Sequence, residues 1–282
     1  MKFLRSRPAM AYYKGKLRGS TARRRSLPAE VFLALPVPLP TANEQRRIAA
    51  ILDQIDDIRA TRREVLNHVD TLPQSIFQDM FRESMAIAPR IDLIELTKVI
   101  TKGTTPTTVG LAFRARGVPF LRAQNLQRGT VAFSPHDLFI DGDAHEILKR
   151  SRVLPQDVLI SIAGTIGRIA VVPAGSPEMN CNQAVAVIRL NDPCLAPWLM
   201  SWLNSLDAQS QIGASSVTGT ISNLSLGQIR RLKVPAVDGP AVQAFAQRIR
   251  AVNEHRSAVT RTDTNVDDLF ASLQSRAFRG EL

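Results

Sequence analysis

The sequence predicts an α+β protein, a mixed α/β domain flanked by two long helices that pair as a coiled coil. Three observations predict it. Apolar residues recur at three-four spacing through Ile48, Ile51, Ile55, Ile58, Val65, Val69, Leu72 and Ile76, the pattern of a heptad seam. The same pattern returns 197 positions later. Between the copies the texture changes to short β-branched runs separated by Gly, Pro and Asn, the signature of strands and turns.

The first helix is expected to start at or near Ala42, because Thr41 and Glu44 have the spacing of a capping box, which satisfies orphan backbone donors of the first turn. About forty residues at ~1.5 Å rise make a rod of about 60 Å, too long for an ordinary globular helix. Such a rod needs a partner helix. Shifting the chain by 197 positions supplies one: Asp70, Leu72, Ser75, Phe81 and Arg82 meet Asp267, Leu269, Ser272, Phe278 and Arg279. The same shift pairs Ile48, Ile55, Val69 and Ile76 with Phe245, Val252, Val266 and Leu273, and Val37-Pro38 with Val234-Pro235. Repetition at so long a period means two copies of a whole module rather than a solenoid, whose units run to roughly 20 to 50 residues.

The predicted seam of the second helix is Phe245, Val252, Val259, Val266 and Leu273, with Arg248, His255 and Thr262 at the alternate positions. Polar seam residues fix register at some cost in stability. Arg62 occupies a seam position in the first helix, and Pro73 is expected to kink it by removing an intrahelical hydrogen bond. Asp238 is placed to cap the second helix.

Residues 1–36 read as the C-terminal end of a first domain, since residues 19–36 align with residues 216–233. Residues 37–88 form the first helical spacer, 89–237 the mixed domain and 238–282 the second spacer. Within the domain, strands are expected over residues 118–121, 157–163, 168–172 and 184–190, and an amphipathic helix over 196–206 with Trp198 and Trp202 in the core. Gly164-Thr165-Ile166-Gly167 lacks the third glycine and the lysine of a phosphate loop and reads as a tight turn between strands. Gly103 and Pro106 also read as turn-formers.

The chain has 282 residues and a net charge of +11, which points to a polyanionic partner, nucleic acid being the usual one. Residues 1–30 hold nine basic side chains against one acid, Glu30. The sequence has no apolar run of the ~18 residues that a membrane span requires, and residues 1–11 lack a secretory apolar region; the expected compartment is cytoplasmic. Cys181 and Cys194 have no metal-ligand spacing and are expected to be buried thiols. His68, His136, His145 and His255 are dispersed, with no nucleophile partner. Asp137, Asp141, Asp143 and Glu146, near Lys149, fit no metal site and read as a solvated acidic loop.

Several short motifs occur in chain order: Glu44-Gln45-Arg46-Arg47-Ile48; Lys102-Gly103-Thr104-Thr105-Pro106; Val118-Pro119-Phe120-Leu121-Arg122 with Gln124-Asn125-Leu126; Leu154-Pro155-Gln156-Asp157-Val158-Leu159-Ile160-Ser161; Gly164-Thr165-Ile166-Gly167; Asn182-Gln183-Ala184-Val185; Gly219-Thr220; and Ala277-Phe278-Arg279-Gly280-Glu281-Leu282. In this order the chain resembles the DNA-specificity subunit of type I restriction-modification enzymes, in which two target-recognition domains alternate with two long helical regions. The resemblance implies an antiparallel helix pair and a non-catalytic chain that holds no cofactor. It implies double-stranded DNA, modification (methyltransferase) subunits and a restriction subunit as partners, with S-adenosylmethionine, ATP and Mg carried by those partners. A family member would carry a first recognition domain where residues 1–36 stand. One expectation is therefore a half-subunit that pairs with a second copy of itself over a palindromic split site. Others are a remnant that binds modification subunits through its helices without directing methylation, and an enzyme with unrecognised motifs.

DNA readout requires cations that position the domain on phosphates and guanidinium forks or amides that read base edges. Arg114, Arg116, Arg122, Gln124, Asn125, Gln127 and Arg128 supply both kinds in one stretch and are the first candidates for base contacts. Lys102, Thr104, Thr105, Thr165, Arg168, Ser215, Ser216 and Thr218 are polar loop residues expected near the backbone. Asn182 and Gln183 read equally well as DNA readers and as turn supports.

Overall fold

The structure is a computed structural model that describes residues 4, 7–17, 26–37, 41–134, 137–215 and 223–277. His136, Ser216, Thr218, Arg18, Arg23, Arg24, Arg25 and the side chains of Ser215, Thr262 and Val266 lie outside the described residues. The chain forms two compact units, one of residues 1–69 with 253–282 and one of residues 70–252.

The first unit opens with α1 (Arg7–Tyr13) and α2 (Ala29–Leu33). Ala9, Tyr13 and Leu35 form their small core, and the Tyr13 ring stacks on Phe32 at 6.5 Å. The shift of 197 positions lays α2 onto a helix of the second unit, Leu226–Arg230. Helix α3 (Ala42–Ile87) starts where its capping box predicts. The Thr41 N–H donates to Glu44 Oε2 at 3.2 Å, and the Glu44 N–H donates to Thr41 Oγ1 at 3.3 Å. The helix continues through Pro73 without interruption.

The second unit continues in chain order with β1 (Arg90–Asp92), β2 (Thr97–Lys102), β3 (Val118–Leu121), β4 (Leu126–Gln127), β5 (Gly129–Val131), β6 (Leu138–Ile140), α4 (Gly142–Ile147), β7 (Arg152–Val153), β8 (Val158–Ser161), β9 (Ile169–Val171), β10 (Met179–Cys181) and β11 (Val185–Leu190). Then follow α5 (Ala196–Leu203), α6 (Leu206–Ser215), α7 (Leu226–Arg230), β12 (Lys233–Pro235) and α8 (Gly239–Ala277). The expected strands are present. A six-stranded sheet runs β2-β11-β8-β9-β5-β4, and a four-stranded sheet runs β6-β3-β10-β7.

Side chains alternate across a strand, and here both faces of the larger sheet are buried. Val158, Ile160, Ala186 and Ile188 face a core that contains Trp198 and Trp202 of α5, Phe77 and Phe81 of α3, and Phe245 of α8. Leu159, Val185 and Val187 face the opposite way, onto Leu121, Leu126, Val153, Met179 and Cys181. Burial on both sides explains why β8 and β11 read as nearly continuous apolar runs. Phe120 points to a third cluster with Ile140, Ala144 and Leu148.

Strand β1 follows α3, strand β12 precedes α8, and the two pair antiparallel with Ile91 opposite Val234. The helices thus enter and leave this unit side by side in opposite directions. Phe245 packs edge-on to Phe77 at 5.9 Å and to Phe81 at 5.6 Å. Asp238 Oδ2 accepts the Ala241 N–H at 3.3 Å and caps α8.

The seam differs from expectation in one of its two sets of positions. Ile48, Ile55, Arg62, Val69 and Ile76 are buried or half-buried, as are Phe245, Val252, Val259 and Leu273. The alternate set lies one residue later than expected. Ile58, Val65 and Leu72 are 48%, 42% and 41% exposed, while Leu52 is buried and Arg59, Leu66, Pro73 and Met80 are half-buried. In α8, Arg248 and His255 are exposed, whereas Ile249 is buried and Arg256 and Phe270 are half-buried. From Ile48 a step of three or of four keeps a heptad; Ile51 is half-buried as expected, but the apolar residues at 58, 65 and 72 favoured the wrong step. In the first unit the Arg59 guanidinium lies over the Phe270 ring at 4.7 Å, a cation–π contact that suits an arginine to the seam.

Three smaller expectations change. The helix expected over 196–206 stops at Leu203, where Gln209 Nε2 donates to the Leu203 carbonyl at 2.6 Å. Cys181 is buried, with its thiol pushed up to about 12 by burial. Cys194 is exposed, because the 3-10 turn that carries it is capped by Asp192 at the surface. In the acidic segment, Asp141 caps α4 by accepting the Ala144 N–H at 2.8 Å, and Glu146 pairs with Arg152. Those carboxylates stay solvated, as expected, but they lie on and cap a short helix rather than a loop.

Candidate nucleic-acid interface

Strand pairing in the second unit gathers polar residues that are far apart in the chain. Lys102 ends β2 and is exposed. The next N–H, of Gly103, donates to Val185 O at 3.1 Å. A Cβ at Gly103 would stand 2.0 Å from Cys181 O, so this glycine permits close backbone approach rather than a turn. Thr104 donates its N–H to Cys181 O at 3.2 Å, and the Thr105 hydroxyl bonds the Gln183 amide oxygen. Asn182 donates its N–H to Leu121 O at 2.9 Å and accepts the Ala184 N–H at 3.2 Å. Its side-chain oxygen therefore supports a turn, while Gln183 is exposed.

The parallel pairing of β3 with β10, Leu121 opposite Cys181, brings Arg122 beside this loop. Arg122 is half-buried and Gln124 exposed. Asn125 is only 3% exposed, which removes it from the base-contact candidates. Its Oδ1 accepts the Arg122 N–H, and its Nδ2 donates to Ala132 O and to Asp137 Oδ1, each at 2.9 Å. A small side chain with a donor and an acceptor satisfies three groups of one loop. Burial pushes the Asp137 carboxyl up, but hydrogen bonds from Asn125 and Ser134 and the Arg122 charge outweigh it and hold the group below its ordinary value.

Arg114 is exposed and pairs through Nε with Asp141 Oδ2 at 2.9 Å. The Ala144 N–H, and after it Arg114, hold the Asp141 carboxyl low. Arg116 is exposed.

A cleft of about 520 Å³ joins two of the candidate groups. Gln127, Arg128 and Gly129 line one side, from the β4–β5 hairpin, and Gly167, Arg168 and Ile169 line the other, from the β8–β9 turn. The parallel pairing of β5 with β9, Gly129 opposite Ala170, brings these sides together. As expected, residues 164–167 form a tight turn, with φ of 73° and 83° at Gly164 and Gly167. The turn is tied down by Ser161, whose Oγ accepts the Arg168 N–H at 2.9 Å. Thr165 and Arg168 stay exposed. Gln127 Nε2 donates to Gln124 O at 2.9 Å, which links the cleft to the Arg122 segment. Asn204, at the end of α5, also lines the cleft; a lone asparagine at a helix terminus carries no sequence signal beyond a cap.

These features define a class: a helix-flanked α+β domain whose separated loops present arginine and amide side chains around one open cleft. No protein-family model matches the chain. It is similar to the type I restriction enzyme EcoBI specificity subunit of Escherichia coli, 23% identical over 279 residues, with 87% of this chain and 58% of that protein covered. Among solved structures, it matches the type I restriction-modification system S subunit from M. genitalium with a TM-score of 0.58 and 15% identity, over 98% of this chain and 72% of that one. It also matches a chain from a study of complex assembly and conformational transition of the type I R-M system, with a TM-score of 0.56 and 20% identity, over 100% and 70%. The fold is that of the type I specificity subunits, as the motif order implied. Among the described residues, no helix is long and apolar enough to cross a membrane.

Proposed function

We propose that the chain is a DNA-specificity subunit of a type I restriction-modification complex. It selects the sequence at which partner subunits methylate adenine or cleave. One observation supports this most: Gln127 and Arg128 share a cleft with Arg168, in a fold held in common with type I specificity subunits. Guanidinium forks and amides are the groups that read base edges, and cations set the register on phosphates. The chain's own residues perform no covalent step in this reading. They bind and orient DNA, while S-adenosylmethionine, ATP and Mg belong to the modification and restriction subunits. Residues 89–237 act as the recognition domain, and residues 37–88 and 238–282 as the helical spacers that dock modification subunits.

The test is a map of methylated adenines in cells that co-express this chain with a cognate modification subunit. A split sequence motif that vanishes when the chain is omitted is the expected result. Absence of any motif, beside an active control with an intact specificity subunit, overturns the reading and leaves a chain that only binds modification subunits.

A further inference from the structure

The β4–β5 hairpin carries an arginine where turn geometry favours a smaller residue. Leu126 pairs with Val131 and Gln127 with Thr130, which leaves Arg128 and Gly129 as the two turn residues. Their φ values are +48° and +75°, the left-handed pair typical of a two-residue hairpin turn. Gly129 is explained locally, since its φ is positive and an added Cβ would stand 3.2 Å from Met200 Sδ. Asn or Asp is the usual choice at the first position, and a long β-carbon-bearing side chain there is strained. Arg128 is nevertheless there, with its side chain 64% exposed at the rim of the cleft. The hairpin forms the edge of the six-stranded sheet, and its turn sets Arg128 at that edge, where a guanidinium can reach a base.

Arg128 is also held from behind. Its Nη1 lies 3.5 Å from Oδ2 of Asp70, a residue of α3 whose side chain is 22% exposed. Asp70 does not line the cleft. A guanidinium has five donors in a rigid fork, so a carboxylate at one nitrogen restrains the side chain without engaging the whole fork. The same carboxylate offsets the charge that would draw Arg128 to a phosphate, because Coulomb attraction acts between net charges. Hydrogen bonding to the neutral O6 and N7 of guanine loses less by that offset.

Building on the recognition function proposed above, we propose that Asp70 is a positioning residue that determines specificity. It orients Arg128 toward a guanine edge and suppresses its contact with the DNA backbone. Loss of Asp70 then frees Arg128 to bind phosphate, which steepens salt dependence by about one unit per added contact.

The experiment compares wild type, Asp70→Asn, Arg128→Asn and the double variant, each as the full chain with its modification subunit. Asparagine suits the turn position, so thermal melting of Arg128→Asn should match or exceed that of wild type. Expected for Asp70→Asn are tighter binding to non-target duplex, a steeper salt slope, and a roughly tenfold loss of discrimination at one G·C pair of the methylated motif. The double variant should behave as Arg128→Asn alone. A wild-type motif shared unchanged by Asp70→Asn, with the same non-target affinity, overturns this inference and leaves the recognition function intact. A wild-type complex with no motif overturns both.

Discussion

Asn125 donates from Nδ2 to Asp137 Oδ1 at 2.9 Å, and this bond converts an apparent base reader into the brace of its own loop. Asn125→Ala would strand the Arg122 N–H and the Ala132 carbonyl, which the amide now satisfies. Leaving buried polar groups without partners costs about 1–3 kcal/mol. Urea denaturation of the variant should show that loss, and unchanged stability would return Asn125 to the list of DNA contacts.

The seam shift is tested by a pair of substitutions on α3. Leu52 is 1% exposed and Ile58 is 48% exposed. Leu52→Asp should destabilise by at least the ~2–5 kcal/mol of a large-to-small core change, since it also buries a charge. Ile58→Asp should cost about 1 kcal/mol or less. Equal thermal shifts would restore the seam that runs through 51, 58, 65 and 72.

Arg189 grips Asp157 with both fork nitrogens, Nε to Oδ1 and Nη2 to Oδ2, each at 2.8 Å. The Asp157 side chain is 1% exposed, so Arg189→Leu leaves a buried carboxylate without its counter-ion. The expected loss is about 3–5 kcal/mol. Adding Asp157→Asn should recover part of it, because the stranded charge is then gone; a further loss in the double variant would contradict the ion-pair account.

Acid should weaken the chain partly through Asp207. Burial pushes this carboxyl up, but Arg90, Gln211 and Trp202 donate to it and hold it below its ordinary value. A depressed folded value stabilises above the unfolded value of about 4, and the contribution is lost as pH falls through the folded value. Asp207→Asn should therefore melt lower than wild type at pH 7, with the gap closing below about pH 4. A gap that persists at low pH would rule out the Arg90 pairing as its source.

Much of the fold was legible from local pattern. The capping box placed the start of α3 at Ala42, β-branched runs placed β3, β8, β9 and β11, and Trp198 and Trp202 read as core residues, which they are. The candidate site was legible in residue type but not in use. Asn182 spends its oxygen on a turn, and Asn125 on its own loop, because whether an amide faces DNA or backbone depends on burial, which composition does not encode.

Local residue pattern carries the repeat of 197 positions, the half of each helical seam that runs through Ile48 and Phe245, and the succession of strands and turns. These follow from periods of two and of about 3.6 residues, which neighbouring side chains carry on their own. The other half of the seam is set by long-range packing, where Phe270 offers Arg59 a ring. Long-range strand pairing likewise sets the cleft, which exists because β5 pairs in parallel with β9 and draws Arg128 toward Arg168. Parallel pairing joins segments through backbone hydrogen bonds common to every residue type, so no local motif announces which strands will meet.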